Sequence, residues 1–152
     1  MLKPRYANEP LSGAGAQLVD GRFNRIGRSA LYLSADPQTA YAEYIQNLFD
    51  RPGLMCSYDV DLAPVVDLTD DATRSRLSVL ADAIGGRWVG LANLPGQQLA
   101  ERLIVEGNIG ALYPSAQRDS GVNLVVWGWN DASTNRIVLV DRMGEAPTKP
   151  AT

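Results

Sequence analysis

Short apolar runs bounded by turn-forming residues constrain the fold of this chain more than any other feature. Each run covers four to seven residues and lies between Gly, Pro, Asp or Ser, which is the length of a buried strand. Stretches with apolar residues three and four positions apart separate some of these runs and are typical of helices. With 152 residues, 45% of them hydrophobic, the chain suffices for one domain with a core. The pattern predicts a single α+β domain with several antiparallel strands.

Six strands and about three helices are predicted, with residues 1–29 as an ordered loop region. The predicted strands are 30–33, 54–60, 64–68, 109–113, 123–127 and 136–140. The first predicted helix starts at Ser34-Ala35-Asp36-Pro37 and ends at Arg51-Pro52-Gly53. The second runs from a cap in Thr69-Asp70-Asp71 to about Ala83, and the third covers 95–106, with Gly107 as the stop. We expect one domain over residues 1–143 and a flexible tail over 144–152, where two prolines occur.

The absence of histidine and the single cysteine, Cys56, exclude several kinds of site. Ser-His-Asp and Cys-His catalysis, histidine-ligated zinc and internal disulfides all require residues that this chain lacks. Cys56 lies in an apolar run and is expected to be a small core residue. One cysteine, no secretory signal and no apolar stretch of membrane-spanning length predict a cytoplasmic protein that does not enter a membrane.

The charge is unevenly distributed along the chain. The net charge is −3 and the isoelectric point is near 4.9, which argues against direct nucleic-acid binding. Residues 1–34 nevertheless hold five basic and two acidic side chains. A basic segment in an acidic protein indicates a local anion site, although chance clustering of surface arginines is an alternative.

Two apparent motifs do not predict a site. The segment Gly13-Ala14-Gly15-Ala16 resembles a phosphate-binding loop, but no strand precedes it and no helix clearly follows. Five aspartates have a spacing that matches no calcium loop, so we interpret them as turn and cap residues and predict no metal site. They are Asp59, Asp61, Asp67, Asp70 and Asp71.

Three segments, in order, resemble the RES-domain family, which is named for its Arg, Glu and Ser. They are Gly21-Arg22-Phe23-Asn24 followed by Ala30-Leu31-Tyr32-Leu33-Ser34; Thr39-Ala40-Tyr41-Ala42-Glu43-Tyr44; and Tyr113-Pro114-Ser115 followed by Asn123-Leu124-Val125-Val126-Trp127. The resemblance extends over residues 4–141. It implies a fold similar to ADP-ribosyltransferases, NAD+ as substrate, and a toxin held inactive by an antitoxin with a helix-turn-helix domain.

The resemblance also implies roles for individual residues. Arg22 would clamp the pyrophosphate of NAD+ through two parallel hydrogen bonds, and Tyr32 would stack on the cationic nicotinamide. Glu43 would stabilise the oxocarbenium-like ribose. Because nicotinamide leaves as a neutral molecule, one carboxylate suffices and no histidine is needed. Ser115 is expected to bind a ribose hydroxyl or a phosphate oxygen.

Further residues are expected around this site. Asn24 would support the Arg22 loop. Many family members carry an additional arginine-bearing strand ahead of the segment where this chain begins, and Arg5 is expected to supply part of that basic wall. Weaker candidates are Arg25, Arg28 and Tyr41, whereas Trp88, Trp127 and Trp129 are expected to pack or to form an interface.

The predicted function is that of a toxin that transfers ADP-ribose from NAD+ to a target protein. Transfer to water or phosphate, which would make it an NAD+ glycohydrolase or phosphorylase, stays open as an alternative. A second alternative is a module that binds a nucleotide without turning it over. A third is a fold that mainly engages its partner and so controls DNA occupancy.

Overall fold

The computed structural model describes residues 1–46, 52–85, 93–131 and 134–140. In this part of the chain, helices and strands form a mixed architecture, so the predicted α+β class is confirmed. The helices are α1 (Ala14–Gln17), α2 (Pro37–Ile45), α3 (Asp71–Arg76), α4 (Ala81–Gly85) and α5 (Pro95–Val105). The strands are β1 (Leu31–Ser34), β2 (Tyr58–Asp61), β3 (Val65–Asp67), β4 (Gly110–Pro114), β5 (Val122–Val126) and β6 (Arg136–Leu139).

The strands form two sheets that are mainly antiparallel, as predicted. The larger sheet has the order β1-β5-β4-β3, and the smaller one pairs β2 with β6. Among the described strands, one pair is parallel, β3 with β4. A parallel pair requires a crossover connection, and here α3, α4 and α5 supply it. This crossover brings the helices against one face of the larger sheet.

The core lies on both faces of the larger sheet, because successive side chains of a strand point to opposite sides. On the helical side, the Phe23 and Tyr113 rings meet with centroids 4.7 Å apart at an angle of 63°. Both belong to a cluster of buried residues that also holds Leu68, Leu99, Leu103, Ala111 and Val125. On the other side, Val126 packs with Leu31 and Ile137. The smaller sheet therefore closes a second, separate core.

All six predicted strands are present, but the segment 54–60 forms a shorter strand than predicted. The strand β2 begins at Tyr58, and Leu54 instead pairs with Leu2 through two backbone hydrogen bonds of 2.9 and 2.8 Å. Cys56 is half-buried and precedes the strand, so its prediction as a core residue is wrong. The pairing with Leu54 fixes the position of Leu2, and residues 1–3 line the cleft described below.

The predicted helix over residues 70–83 is wrong as a single element. Ser78 adopts a φ of 51°, in the left-handed region that breaks an α-helix, so α3 and α4 are separate. No clear helix was expected after the segment Gly13–Ala16, but Gly13 directly precedes the four-residue helix α1. The described residues thus hold five α-helices rather than about three, and the additional ones are short. The predicted helix positions 47–50, Trp88 and the predicted tail 144–152 lie outside the described residues.

Asp67 and Asp70 have local roles of the kind predicted, whereas Asp59 and Asp61 lie within β2, so their interpretation as turn or cap residues is wrong. Asp70 caps α3 by accepting a 2.7 Å hydrogen bond from the Thr73 amide, and its bonds to Thr73 lower the pKa of Asp70. Asp67 accepts a 2.8 Å bond from the Thr69 amide. Across the described ranges, no three acidic or cysteine side chains gather into a metal-binding group. Among those residues, too, no helix is long and apolar enough to cross a membrane.

Candidate functional site

A cleft of about 460 Å³ brings together most of the predicted site residues. This volume lies within the range of small-molecule sites. Its walls come from the N-terminal segment, the loop before β1, β1 itself and α2. The predicted residues that line it are Arg5, Arg22, Asn24, Tyr32 and Glu43. The cleft therefore places a cationic and an anionic side chain in one cavity of ligand size.

Asn24 organises the loop that carries Arg22. The Gly21 amide donates to the Asn24 carbonyl at 2.9 Å, which closes a tight turn around Arg22. The Asn24 side chain is 2% exposed. Its amide donates to the Ala16 carbonyl at 2.8 Å, and its oxygen accepts from the Tyr32 hydroxyl at 2.8 Å. Through these contacts Asn24 joins the Arg22 loop to α1 and to β1.

The first turn of α5 also contacts the loop that carries Arg22. The buried Gln97 amide donates to the carbonyls of Gly21 and Asn24 at 3.1 and 3.2 Å. Gly96 packs so closely that a Cβ there would lie 2.5 Å from the Arg22 carbonyl oxygen. Gln97 is not among the predicted site residues, although a polar residue beside the apolar positions of a helix is a signal for such a contact. The Arg22 backbone is therefore held by a distant element of the chain.

The Arg22 guanidinium is half-buried and donates to the Ile84 carbonyl. Burial lowers the pKa of Arg22, while the nearby Tyr113 and Glu43 side chains oppose that effect. Arginine nevertheless stays protonated in proteins. A partly desolvated cation in a cleft interacts strongly with an anionic ligand, because the surrounding dielectric is low.

The Tyr32 hydroxyl is held at the base of the cleft. It accepts a 3.0 Å bond from the Phe23 amide and donates to Asn24, and burial raises the pKa of Tyr32 well above its ordinary value. The phenol is therefore neutral at physiological pH and does not act as a base there. The residue is 38% exposed in total, and since the hydroxyl is engaged, its ring is the surface available to a ligand.

The Glu43 carboxylate accepts hydrogen bonds from three side chains. Its Oε1 accepts from the Ser115 hydroxyl at 2.7 Å and from the Asn123 amide at 2.6 Å. Its Oε2 accepts a longer bond, 3.2 Å, from the exposed Gln46 amide. Two short hydrogen bonds to a single oxygen favour one orientation of the carboxylate. Glu43 lies on α2, one turn after the buried Thr39.

Ser115 lies behind Glu43 rather than on the cleft wall. Besides donating to Glu43, its hydroxyl accepts hydrogen bonds from the backbone N–H groups of Gln117 and Arg118, at 3.1 Å each. Arg118 in turn forms an ion pair with Asp36 at the start of α2, with 3.2 Å between nitrogen and oxygen. The structure thus gives Ser115 a contact with the predicted carboxylate, whereas its predicted contact with NAD+ stays a prediction.

The weaker candidates do not line the cleft. Arg25 forms an ion pair with Glu101, Arg28 is exposed, and Tyr41 is 55% exposed on α2. The two described tryptophans pack as expected: the indole nitrogens of Trp127 and Trp129 each donate to a backbone carbonyl at 2.9 Å. At the N-terminal side of the cleft, the Arg5 guanidinium lies 4.8 Å from the centre of the Tyr6 ring.

Fold and site define a small α+β domain with a ligand-sized cleft that combines one half-buried arginine with one oriented carboxylate. The RES domain family model matches residues 1–148, and the chain belongs to this family. It is similar to Toxin Res of Photorhabdus laumondii, with 25% identity over 126 residues, which cover 77% of this chain and 81% of that protein. The predicted family resemblance is thereby confirmed.

Proposed function

We propose that this protein is a toxin that cleaves the nicotinamide–ribose bond of NAD+ and transfers ADP-ribose to a target protein. The observation that carries the proposal is the cleft that holds Arg22 together with Glu43, whose carboxylate is oriented by two short hydrogen bonds. Membership of the RES domain family and the likeness to Toxin Res support the toxin role.

The cleft has the groups that NAD+ requires. The pyrophosphate is an anion with two neighbouring phosphates, and the planar guanidinium of Arg22 matches phosphate oxygens in pairs. Lys3 and Arg5 line the same cavity and add positive charge on its N-terminal side. The nicotinamide ring of NAD+ is flat and cationic, so the ring of Tyr32 is a suitable stacking partner. The pyrophosphate and the nicotinamide ring thus each have a chemically matched residue in the cleft.

The reaction needs one carboxylate and no proton donor for the leaving group. When the bond between the ribose C1 and the nicotinamide nitrogen breaks, its electron pair goes to that nitrogen, and the cationic ring becomes neutral. Positive charge develops on the ribose, where the Glu43 carboxylate stabilises it. A nucleophilic oxygen of the acceptor then bonds to C1 and releases its proton to solvent. This chemistry is compatible with a chain that has no histidine.

We propose a protein as the acceptor because exposed apolar side chains border the cleft. Leu18 and Val19 line it and are 66% and 59% exposed, and Ile26, in the same loop region, is 64% exposed. Apolar groups on a surface are typical of a contact with another protein. Water and phosphate are the competing acceptors.

Mass spectrometry of NAD+ incubated with the protein and a cell lysate distinguishes these acceptors. We expect free nicotinamide together with a lysate protein that gains one ADP-ribose, and neither product with the Glu43→Ala variant. Free ADP-ribose or its phosphate as the sole product would contradict protein transfer and favour the glycohydrolase or phosphorylase. Intact NAD+ with folded wild-type protein would contradict the enzyme and favour a nucleotide-binding module.

We further propose that a helix-turn-helix antitoxin covers the cleft in the cytoplasm, and that the protein itself does not bind DNA. The apolar side chains of Leu18, Val19 and Ile26 support such an interface.

The test uses the protein encoded by the adjacent gene as the antitoxin. We expect the two proteins to elute as a complex in size-exclusion chromatography, and we expect the complex to leave NAD+ uncleaved. A Leu18→Ser/Ile26→Ser double variant should weaken this complex at least about tenfold, since each side chain buries apolar surface on binding. If this protein elutes as a separate species when the adjacent gene product is present in excess, the proposal is contradicted.

A further inference from the structure

We propose that Asn123, held in place by Ser34, is a positioning residue that sets the orientation of the Glu43 carboxylate. The inference rests on the proposed function for its kinetic consequence, but its structural basis is independent of any substrate. Asn123 is 3% exposed and lies on β5, in the middle of the larger sheet. A polar side chain at such a place is costly unless its hydrogen bonds are satisfied.

Strand register brings the residues together. Asn123 is the register partner of Ser34 on β1 and of Tyr113 on β4. Register partners have side chains on the same face with Cβ atoms roughly 5 Å apart. The three side chains therefore form a row across the sheet, on the face where α2 packs beside β1. Glu43 reaches this row from α2 and meets Asn123.

The hydrogen bonds require one orientation of the Asn123 amide. Its nitrogen donates to Glu43 Oε1 at 2.6 Å, and its oxygen accepts from the Ser34 hydroxyl at 2.8 Å. A rotated amide would direct its oxygen at the carboxylate, so two acceptors would face each other. Ser34 thus stabilises the arrangement in which Asn123 donates to Glu43.

This arrangement leaves the second oxygen of Glu43 for the substrate. Both short bonds, from Asn123 and Ser115, end on Oε1, whereas the partner of Oε2 is the exposed Gln46 at the longer distance of 3.2 Å. Asn123 and Ser115 come from different elements, so together they fix the plane of the carboxylate. With Asn123 removed, Ser115 supplies the remaining short bond and Gln46 the longer one, and we expect the carboxylate to rotate. A misplaced catalytic group costs rate more than it costs binding.

One variant of Asn123 and a pair of variants of Ser34 test the inference with NAD+ as the probe. Asn123→Leu keeps the size of the side chain and removes the donor, and we expect kcat to fall by about 10²-fold while KM changes less than about threefold. Ser34→Ala should lower kcat by about tenfold, and Ser34→Thr, which retains the hydroxyl, should restore it. If Asn123→Leu does not fold, the Ser34 pair decides alone, because rescue by threonine is not expected from a merely structural residue.

A crystal structure of Ser34→Ala or Asn123→Leu separates this inference from the proposed function. We expect the Glu43 carboxylate to occupy a rotated or mixed orientation there, whether or not NAD+ is a substrate. An unchanged carboxylate would overturn the positioning role, as would a wild-type kcat for both variants. Wild-type protein that leaves NAD+ intact, together with a displaced carboxylate in the variant, would overturn the proposed reaction and retain the positioning role.

Discussion

The Glu43→Gln variant should bind NAD+ and cleave it at least about 10²- to 10³-fold more slowly than the wild type, the range for losing one preorganised electrostatic group. Glutamine retains an oxygen that can accept from Ser115 and Asn123, so the hydrogen bonds to Oε1 survive. The negative charge opposite the developing oxocarbenium ion is lost, together with the longer bond from the exposed Gln46 to Oε2. The measurement is the release of nicotinamide under single-turnover conditions, with NAD+ affinity determined separately by calorimetry.

Glu106→Gln is the matched control for this variant. Glu106 is an exposed carboxylate at the end of α5, paired at 4.0 Å with Arg102, and it does not line the cleft. Its replacement removes the same charge and should leave both the rate and the affinity unchanged. A Glu43→Gln variant as fast as this control would show that the carboxylate charge takes no part in the reaction. Equal losses in both would indicate an effect of net charge.

The strands could be predicted because they depend on short-range apolar patterns. β5, for example, is an apolar run between turn formers, and it was predicted to within one residue. The break between α3 and α4 could not be predicted in the same way. It depends on a left-handed Ser78, and nothing in the local pattern requires that conformation. The four-residue α1 is likewise too short for a periodic signal.

The residues of the cleft, like the helices and strands, divide into those that the sequence predicts and those whose contacts depend on the fold. Arg22 and Glu43 were predicted from the family resemblance, and the structure brings both to one cavity. Asn123 and Gln97 were not predicted as site residues, because their contacts depend on strand register and on packing between distant segments. Gln97 reaches a loop that lies more than 70 positions earlier in the chain. Sequence spacing contains no information on such a contact until the fold is known.

Arg22→Ala should weaken NAD+ binding by about 10- to 100-fold. Hydrogen bonds to a charged group contribute about 1.5–3 kcal/mol, and each 1.4 kcal/mol is about a factor of ten in affinity. The guanidinium is half-buried, so the loss is greater than for an exposed arginine, because the charge interaction takes place at a lower dielectric. Calorimetry in the Glu43→Gln background measures the affinity without turnover. Arg22→Lys should recover only part of it, since an ammonium keeps the charge but not the paired donors.

Arg28→Ala separates this effect from a general loss of positive charge. Arg28 is an exposed basic residue a few positions after Arg22, and it does not line the cleft. Its removal changes the net charge equally, so the affinity for NAD+ should stay within about twofold, as is usual for an exposed charge at a distance. Equal weakening by Arg22→Ala and Arg28→Ala would contradict a specific pyrophosphate contact and indicate diffuse attraction by the basic segment. Full recovery by Arg22→Lys would show that charge, rather than the planar pair of donors, holds the ligand.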